Sequence, residues 1–168
     1  MPHMTEMKQT DIRTEFDAFK NSQVWFTVIM GVVGFGGMFS VYTYISWTMT
    51  EVAGLSDSLI WVVLMAYGIG MTIGNAFGGW LADRNLEFGI IFALASLIII
   101  LTAFYFLSSH AIPATICFGM VAFMGSTLVP SLQLRLVHVA GDAQTLSAAL
   151  NQSALNIANA AGATIGGA

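Results

Sequence analysis

Five long stretches of this sequence contain no charged residue, and they restrict the chain to a membrane. Only 8% of its 168 residues are Asp, Glu, Lys or Arg, whereas soluble domains have about 25%. About 20 consecutive apolar residues are enough to cross a bilayer as a helix. The sequence therefore predicts an all-α, polytopic membrane protein with five transmembrane helices, at about residues 24–46, 59–81, 88–107, 112–134 and 145–168.

The first 22 residues differ from the rest because they hold seven of the fourteen charged residues, of both signs. Apolar Ile12, Phe16 and Phe19 recur among them at helical spacing, a pattern typical of a short amphipathic helix on a membrane surface. We predict that residues 1–22 form a cytoplasmic linker and that residues 23–168 form the membrane domain. For Met1 to Met7, a disordered leader is an equally good interpretation.

The second stretch carries a small residue at every fourth position. These residues are Ala66, Gly70, Gly74, Gly78 and Ala82. Each interior glycine costs about 1 kcal/mol of helix stability relative to alanine. In a bilayer, however, a ridge of small residues lets a second helix approach closely and so promotes helix association. The spacing predicts a close helix crossing here, and Gly162 and Gly166 predict a second one in the fifth stretch.

The basic residues fall in alternate connections between the five stretches. Lys8, Arg13 and Lys20 precede the first stretch, Arg84 follows the second, and Arg135 follows the fourth. Cytoplasmic loops are enriched in Lys and Arg. The pattern therefore predicts a multi-pass protein with a cytoplasmic amino terminus.

Uncharged polar residues concentrate in the fifth stretch. Gln152, Asn156 and Asn159 lie on one helical face, within an arc of about 60°, and an unpaired amide in hydrocarbon costs about 4 to 8 kcal/mol. This face must therefore meet water or protein, and two interpretations stay open: a hydrated substrate pathway, or hydrogen bonds between helices without a ligand. Weaker candidates for such a pathway are Phe39, Tyr42, Tyr44 and Asn75.

Enzymatic and metal-binding signatures are missing from the sequence. It contains neither G-x-S-x-G nor H-E-x-x-H, and His3, His110 and His138 lack ligand spacing. A single cysteine, Cys117, forms no disulfide framework. We predict no catalytic residue, no metal, no cofactor and no nucleic-acid partner.

Four motifs follow one another along the chain. They are GGMFSVYTYI at 36–45, TEVAGLS at 50–56, GWLADR at 79–84, and LNQSA at 150–154 with Asn156 and Asn159. In this order they resemble motifs of the major facilitator superfamily of transporters, and more narrowly of its bacterial drug:proton antiporter branch. The sequence departs from the family at Asn85-Leu86-Glu87, where Gly-Arg-Lys usually completes the third motif. The five stretches resemble helices seven to eleven of twelve, which implies a fragment of the carboxyl-terminal half, without the first six helices and helix twelve.

The resemblance implies a function for the intact parent protein. It would export a small molecule, such as a drug, sugar or nucleoside, across the bacterial inner membrane by alternating access, in exchange for protons, and the fragment alone would be inactive. Gly79, Asp83, Arg84 and Arg135 would belong to a cytoplasmic conformational latch, with Asp83 within salt-bridge distance of Arg135. Alternatively, Arg84 and Arg135 are simple cytoplasmic anchors.

A function of another class remains open. The small-residue ridges could join copies of a five-helix bundle into a self-assembling structural or pore-forming membrane protein.

Overall fold

The computed structural model describes residues 20–141 and 144–166. All long secondary-structure elements in this part of the chain are α-helices. The five long helices are α1 (Ser22–Trp47), α2 (Ile60–Arg84), α3 (Leu86–Leu107), α4 (Ala111–Ala140) and α5 (Gln144–Gly166). The described residues contain no strand, which confirms the all-α fold. The amphipathic helix predicted before residue 20 lies outside the described residues.

Four of the helical segments are long and apolar enough to cross a membrane. They are Ser22–Val52, Asp57–Arg84, Leu86–Leu107 and Ala111–Ala140. The fifth helix, α5, is also long enough, with 23 residues, but its amides make it less apolar than the others. The bundle therefore has four helices that are suited to lipid by composition and one whose surface is partly polar.

Two helices extend beyond their predicted ends. A π-helical turn at Thr48–Val52 prolongs α1 beyond residue 46, where the first predicted helix ends. The predicted end of the fourth helix at residue 134 is too early, because α4 continues to Ala140. The charge of Arg135 does not end the helix, since side chains of neighbouring helices bind its guanidinium. Instead, α4 ends at Gly141, whose φ of 60° favours glycine.

The fourth helix is the centre of the bundle, because it packs against each of the other four. Its fully buried side chains include Phe118, Leu128 and Leu132. The third helix covers one side of the bundle, burying residues such as Ala93 and Leu97 while its opposite side is exposed. The third helix, whose sequence is apolar on all sides, is thus peripheral in the bundle.

The glycine ridge of α2 lies directly against the backbone of α4. A methyl group at Gly70 or Gly74 would overlap the carbonyl oxygen of Gly119 or Phe123, and one at Gly78 would lie 2.5 Å from that of Thr127. The Thr127 hydroxyl also donates a hydrogen bond to the carbonyl oxygen of Gly74, at 3.2 Å. The helices approach as closely as their backbones allow.

A second close crossing joins α1 and α5. Gly162 lies against the backbone of Gly36 and Ser40, and Gly166 lies against the ring of Tyr44. The Ser40 hydroxyl donates to the Gly162 carbonyl oxygen at 2.9 Å, and the Tyr44 hydroxyl donates to that of Ala163 at 2.7 Å. Small residues thus create both crossings, and hydroxyl groups bridge them.

We predict that Gly74→Ala destabilises the bundle by about 1 to 3 kcal/mol, because the added methyl overpacks a contact between two backbones. Gly68→Ala is the matched control on the same helix, since its methyl would have no neighbour within 4 Å. It should leave stability unchanged or raise it by up to about 1 kcal/mol. Thermal unfolding of the two variants in detergent measures the difference, and equal stability would contradict the tight crossing.

Candidate functional site

The third helix defines two sides of the bundle. Gly34 and Gly37 of α1 pack against Leu94 and Leu101 of α3, and Ser131 of α4 lies beside Gly89 of α3. Successive residues of a helix point about 100° apart. The side of each helix that points away from α3 can therefore be derived from its contacts with its neighbours.

We use the name open face for the exposed and half-buried residues that point away from α3. Asn75 is exposed, and it points about 120° away from Leu81, the residue of α2 that lies against Gly89 of α3. On α5, Asn151 faces α4 and Gly162 faces α1, so the amides that follow Asn151 turn to the same side. The open face consists of Phe39, Thr43, Asn75, Val129, Gln133, Gln152, Asn156 and Asn159, and the buried Ala122 and Ser126 lie on the same side of α4.

Four amides of the open face are exposed. They are Asn75, Gln152, Asn156 and Asn159, and none of them has a hydrogen-bond partner within the described part of the chain. Hydrocarbon cannot satisfy these groups, so the open face meets water or another protein surface. Phe39 is half-buried and packs against the main hydrophobic core of the bundle.

The two tyrosine candidates have different positions. Tyr44 turns towards α5, and its bond to the Ala163 carbonyl oxygen makes it a tie between helices. Tyr42 is 45% exposed, and its ring lies 4.9 Å from that of Tyr67, which in turn lies 4.6 Å from the ring of Phe118. Tyr42 therefore lies at the edge of the open face, between α1 and α2.

An amide pair that sequence reasoning missed lies at one end of the open face. The Asn151 side chain is buried, and its Nδ2 donates to Oε1 of Gln133 at 2.7 Å. Asn151 precedes the predicted amide face by one residue, so it points about 100° away from Gln152. The signal available in the sequence was the second amide in Leu150-Asn151-Gln152; which helix it faces depends on the packing.

Arg135 connects three helices at the end of the bundle where α1 begins, which we call the basic end. Its Nε donates to Oγ1 of Thr27 at 3.2 Å and its Nη2 to Oε1 of Gln23 at 3.4 Å, both on α1. Its Nη1 lies 3.6 Å from Oε1 of Glu87 at the start of α3. Arg135 thus fastens α1 and α3 to the end of α4.

The prediction that Asp83 forms an ion pair with Arg135 is wrong. Among the described residues, Arg135 pairs with Glu87 instead. Arg135 points towards α1 and α3, whereas Asp83 is exposed on the side of α2 away from α4. The neighbouring Arg84 lies over the ring of Trp80, 4.1 Å from its centroid. A methyl group at Gly79 would have no neighbour within 4 Å, so its surroundings are open.

The described part of the chain shows no catalytic or metal site. No group of three His, Cys, Asp or Glu side chains there could hold a metal ion. Cys117 is a buried free thiol. The polar chemistry of the open face is therefore neutral hydrogen bonding.

Comparison with known proteins gives one consistent result. The model of the Major Facilitator Superfamily matches residues 4–163. The chain is 35% identical over 160 residues to the inner membrane transport protein YdhP of Escherichia coli, and 36% identical over 159 residues to the MFS-type transporter YfhI of Bacillus subtilis. It is 28% identical over 155 residues to a chloramphenicol resistance protein of Streptomyces lividans.

These matches cover most of this chain but less than half of each relative. They include 94%, 93% and 90% of the chain, and 41%, 39% and 38% of YdhP, YfhI and the chloramphenicol resistance protein. No solved structure matches the chain.

Proposed function

Because the chain belongs to the major facilitator superfamily, we propose that it is part of a secondary transporter and that the transported molecule passes along the open face. The observation that carries this proposal is the exposure of four unpartnered amides on a membrane bundle. In transporters of this kind, substrate sites lie between two helical bundles that rock against each other. A second bundle opposite the open face would enclose a hydrated path for these amides.

The length of the relatives supports a second bundle. The chain matches about 41% of YdhP, so the unmatched part of such a protein is long enough to supply it. We propose that the complete transporter includes six helices that resemble the family's first half and a twelfth helix.

Export of a small molecule is the direction that we propose. The Streptomyces lividans relative is named for chloramphenicol resistance, and the motif resemblance favours efflux of drugs, sugars or nucleosides in exchange for protons. The residues of the open face include no Asp, Glu, Lys, Arg or His. A proton-carrying group would therefore lie elsewhere in the complete transporter.

Self-assembly has less support, because the small-residue ridges are used inside the bundle. Gly70, Gly74 and Gly78 are buried against α4, and Gly162 is buried against α1. These four glycines are therefore already used for packing inside the bundle.

We expect Asn156→Leu to lower transport efficiency roughly tenfold, because a lost hydrogen bond is worth about 1 to 1.5 kcal/mol. The complete coding sequence that contains the chain would be expressed in an efflux-deficient bacterium, and efflux of chloramphenicol, uridine, arabinose and ethidium measured. Ile157→Leu is the matched control, since the adjacent exposed side chain points away from the open face. Equal efflux by the two variants would contradict a pathway along this surface, and export of no compound by the unaltered protein would contradict efflux.

Asp83 is the second residue that we propose to act in transport, as part of a latch with Gly79, Arg84 and Arg135 at the basic end. Its carboxylate would face a helix amino terminus of the second bundle, where the helix dipole favours negative charge. Asp83→Asn should lower the maximal efflux rate and leave protein levels unchanged. Glu51→Gln is the control, because Glu51 is an exposed acidic residue at the opposite end of the bundle. Equal rates for both variants would limit these residues to anchoring.

The basic end should face the cytoplasm of a bacterial inner membrane, because it carries Lys20, Arg84 and Arg135. Single cysteines introduced at Lys20, Arg84 and Asp57 in a Cys117→Ala background test this orientation. A membrane-impermeant maleimide should label Asp57→Cys on intact cells, and the other two only after permeabilisation. Labelling of Lys20→Cys and Arg84→Cys from opposite sides would refute the arrangement of helices in the membrane.

A further inference from the structure

The amide pair of Gln133 and Asn151 lies where α4 and α5 meet at the basic end of the open face. Gln133 is half-buried, whereas Asn151 is only 5% exposed. Their hydrogen bond is short, at 2.7 Å, and the Ser147 hydroxyl forms a second, longer bond between the two helices, 3.3 Å from the Leu136 carbonyl oxygen. The Gln133 side chain is therefore held in place at the edge of the surface.

The direction of this hydrogen bond determines what Gln133 presents. Asn151 donates, so Oε1 of Gln133 is the atom that turns towards α5. A glutamine amide carries an acceptor oxygen and an NH₂ group with two donors. With its oxygen occupied, Gln133 directs its Nε2 donors away from Asn151, and no acceptor within the described residues binds them.

We propose that Gln133 contacts the transported molecule, that Asn151 is its positioning residue, and that Gln133 recognises an uncharged acceptor such as a carbonyl or hydroxyl oxygen. This inference rests on the proposed function, because it requires a substrate on the open face. It adds a named residue, its hydrogen-bonding role and a substrate class to that proposal.

The charges around Gln133 favour an uncharged group. The nearest cation in sequence is Arg135, but its guanidinium turns towards Thr27, Gln23 and Glu87, away from the open face. A charged substrate group at Gln133 would find no counter-charge on this surface, whereas an uncharged acceptor needs only the two donors of the Gln133 amide.

A second unsatisfied group lies on the same side of α4. Ser126 is seven residues, or about two helical turns, before Gln133, and is 1% exposed. Its hydroxyl is the only buried side-chain oxygen or nitrogen among the described residues without a hydrogen-bond partner. By contrast, the nearby Thr127 and Ser131 hydroxyls bond to carbonyl oxygens one turn earlier. Two groups on this side of α4, the Ser126 hydroxyl and the Gln133 NH₂ group, therefore have no hydrogen-bond partner among the described residues.

The test compares Gln133→Glu with unaltered protein in the complete transporter, using chloramphenicol and uridine as uncharged probes and ethidium as a cationic one. The carboxylate of Gln133→Glu can still accept the Asn151 hydrogen bond, but it has lost the two donors. We expect KM for the uncharged probe that is exported to rise about tenfold while the maximal rate stays within twofold. Asn151→Ala should raise KM less, because Gln133 keeps its donors but loses its fixed orientation.

Ser147→Ala is the matched control, since it removes the other bond between α4 and α5 and leaves Gln133 intact. Its KM should stay within twofold of that of the unaltered protein. If Gln133→Glu leaves KM unchanged, or lowers only protein level, Gln133 merely ties two helices and the inference is overturned. Export of ethidium alone would overturn the substrate class while leaving the transporter proposal intact, whereas export of no probe by the unaltered protein would contradict the transporter proposal itself.

Discussion

The contact between the backbones of α2 and α4 is the constraint on which the rest of the bundle depends. Lipid is as apolar as the side chains, so burying apolar surface gives membrane helices no reason to associate. Association comes instead from close packing. Gly70, Gly74 and Gly78 allow it because they have no side chain to keep α2 away from the backbone of α4. The same helix, α4, also contacts α1, α3 and α5. Once α2 occupies one side of α4, these three helices pack on the remaining sides of α4.

The polar side chains then divide into two groups with different physical roles. Thr127, Ser40 and Tyr44 donate to carbonyl oxygens of neighbouring helices and stabilise the crossings. Asn75 and Asn156, in contrast, have no partner in the part of the molecule described and lie on the side away from α3. Among the described residues, the bundle satisfies its buried polar side chains except Ser126 and leaves a row of amides exposed. Such a surface is suited to water and to a hydrogen-bonding solute.

Sequence patterns predicted the helices, the two close crossings and the shared face of Gln152, Asn156 and Asn159, because each depends on spacing within a single helix. They failed where two helices had to be placed relative to each other. Arg135 follows an apolar stretch and was expected to mark its end and to pair with Asp83, yet it lies inside α4 and binds Glu87. The sequence also could not show that Tyr44 and Tyr42 have different roles. Only the position of α5 shows that the Tyr44 hydroxyl bonds to a neighbouring helix.

The sequence by itself determined that this chain forms apolar helices suited to a membrane, with basic residues at alternate ends of the apolar stretches, because length, hydropathy and charge are local properties. Only the tertiary structure decided which side of the bundle is open, that Gln133 and Asn151 meet across 18 residues, and which oxygen of that pair is occupied. The physical reason is that a side chain's partner depends on the rotation and crossing of two helices, and spacing along one helix determines neither.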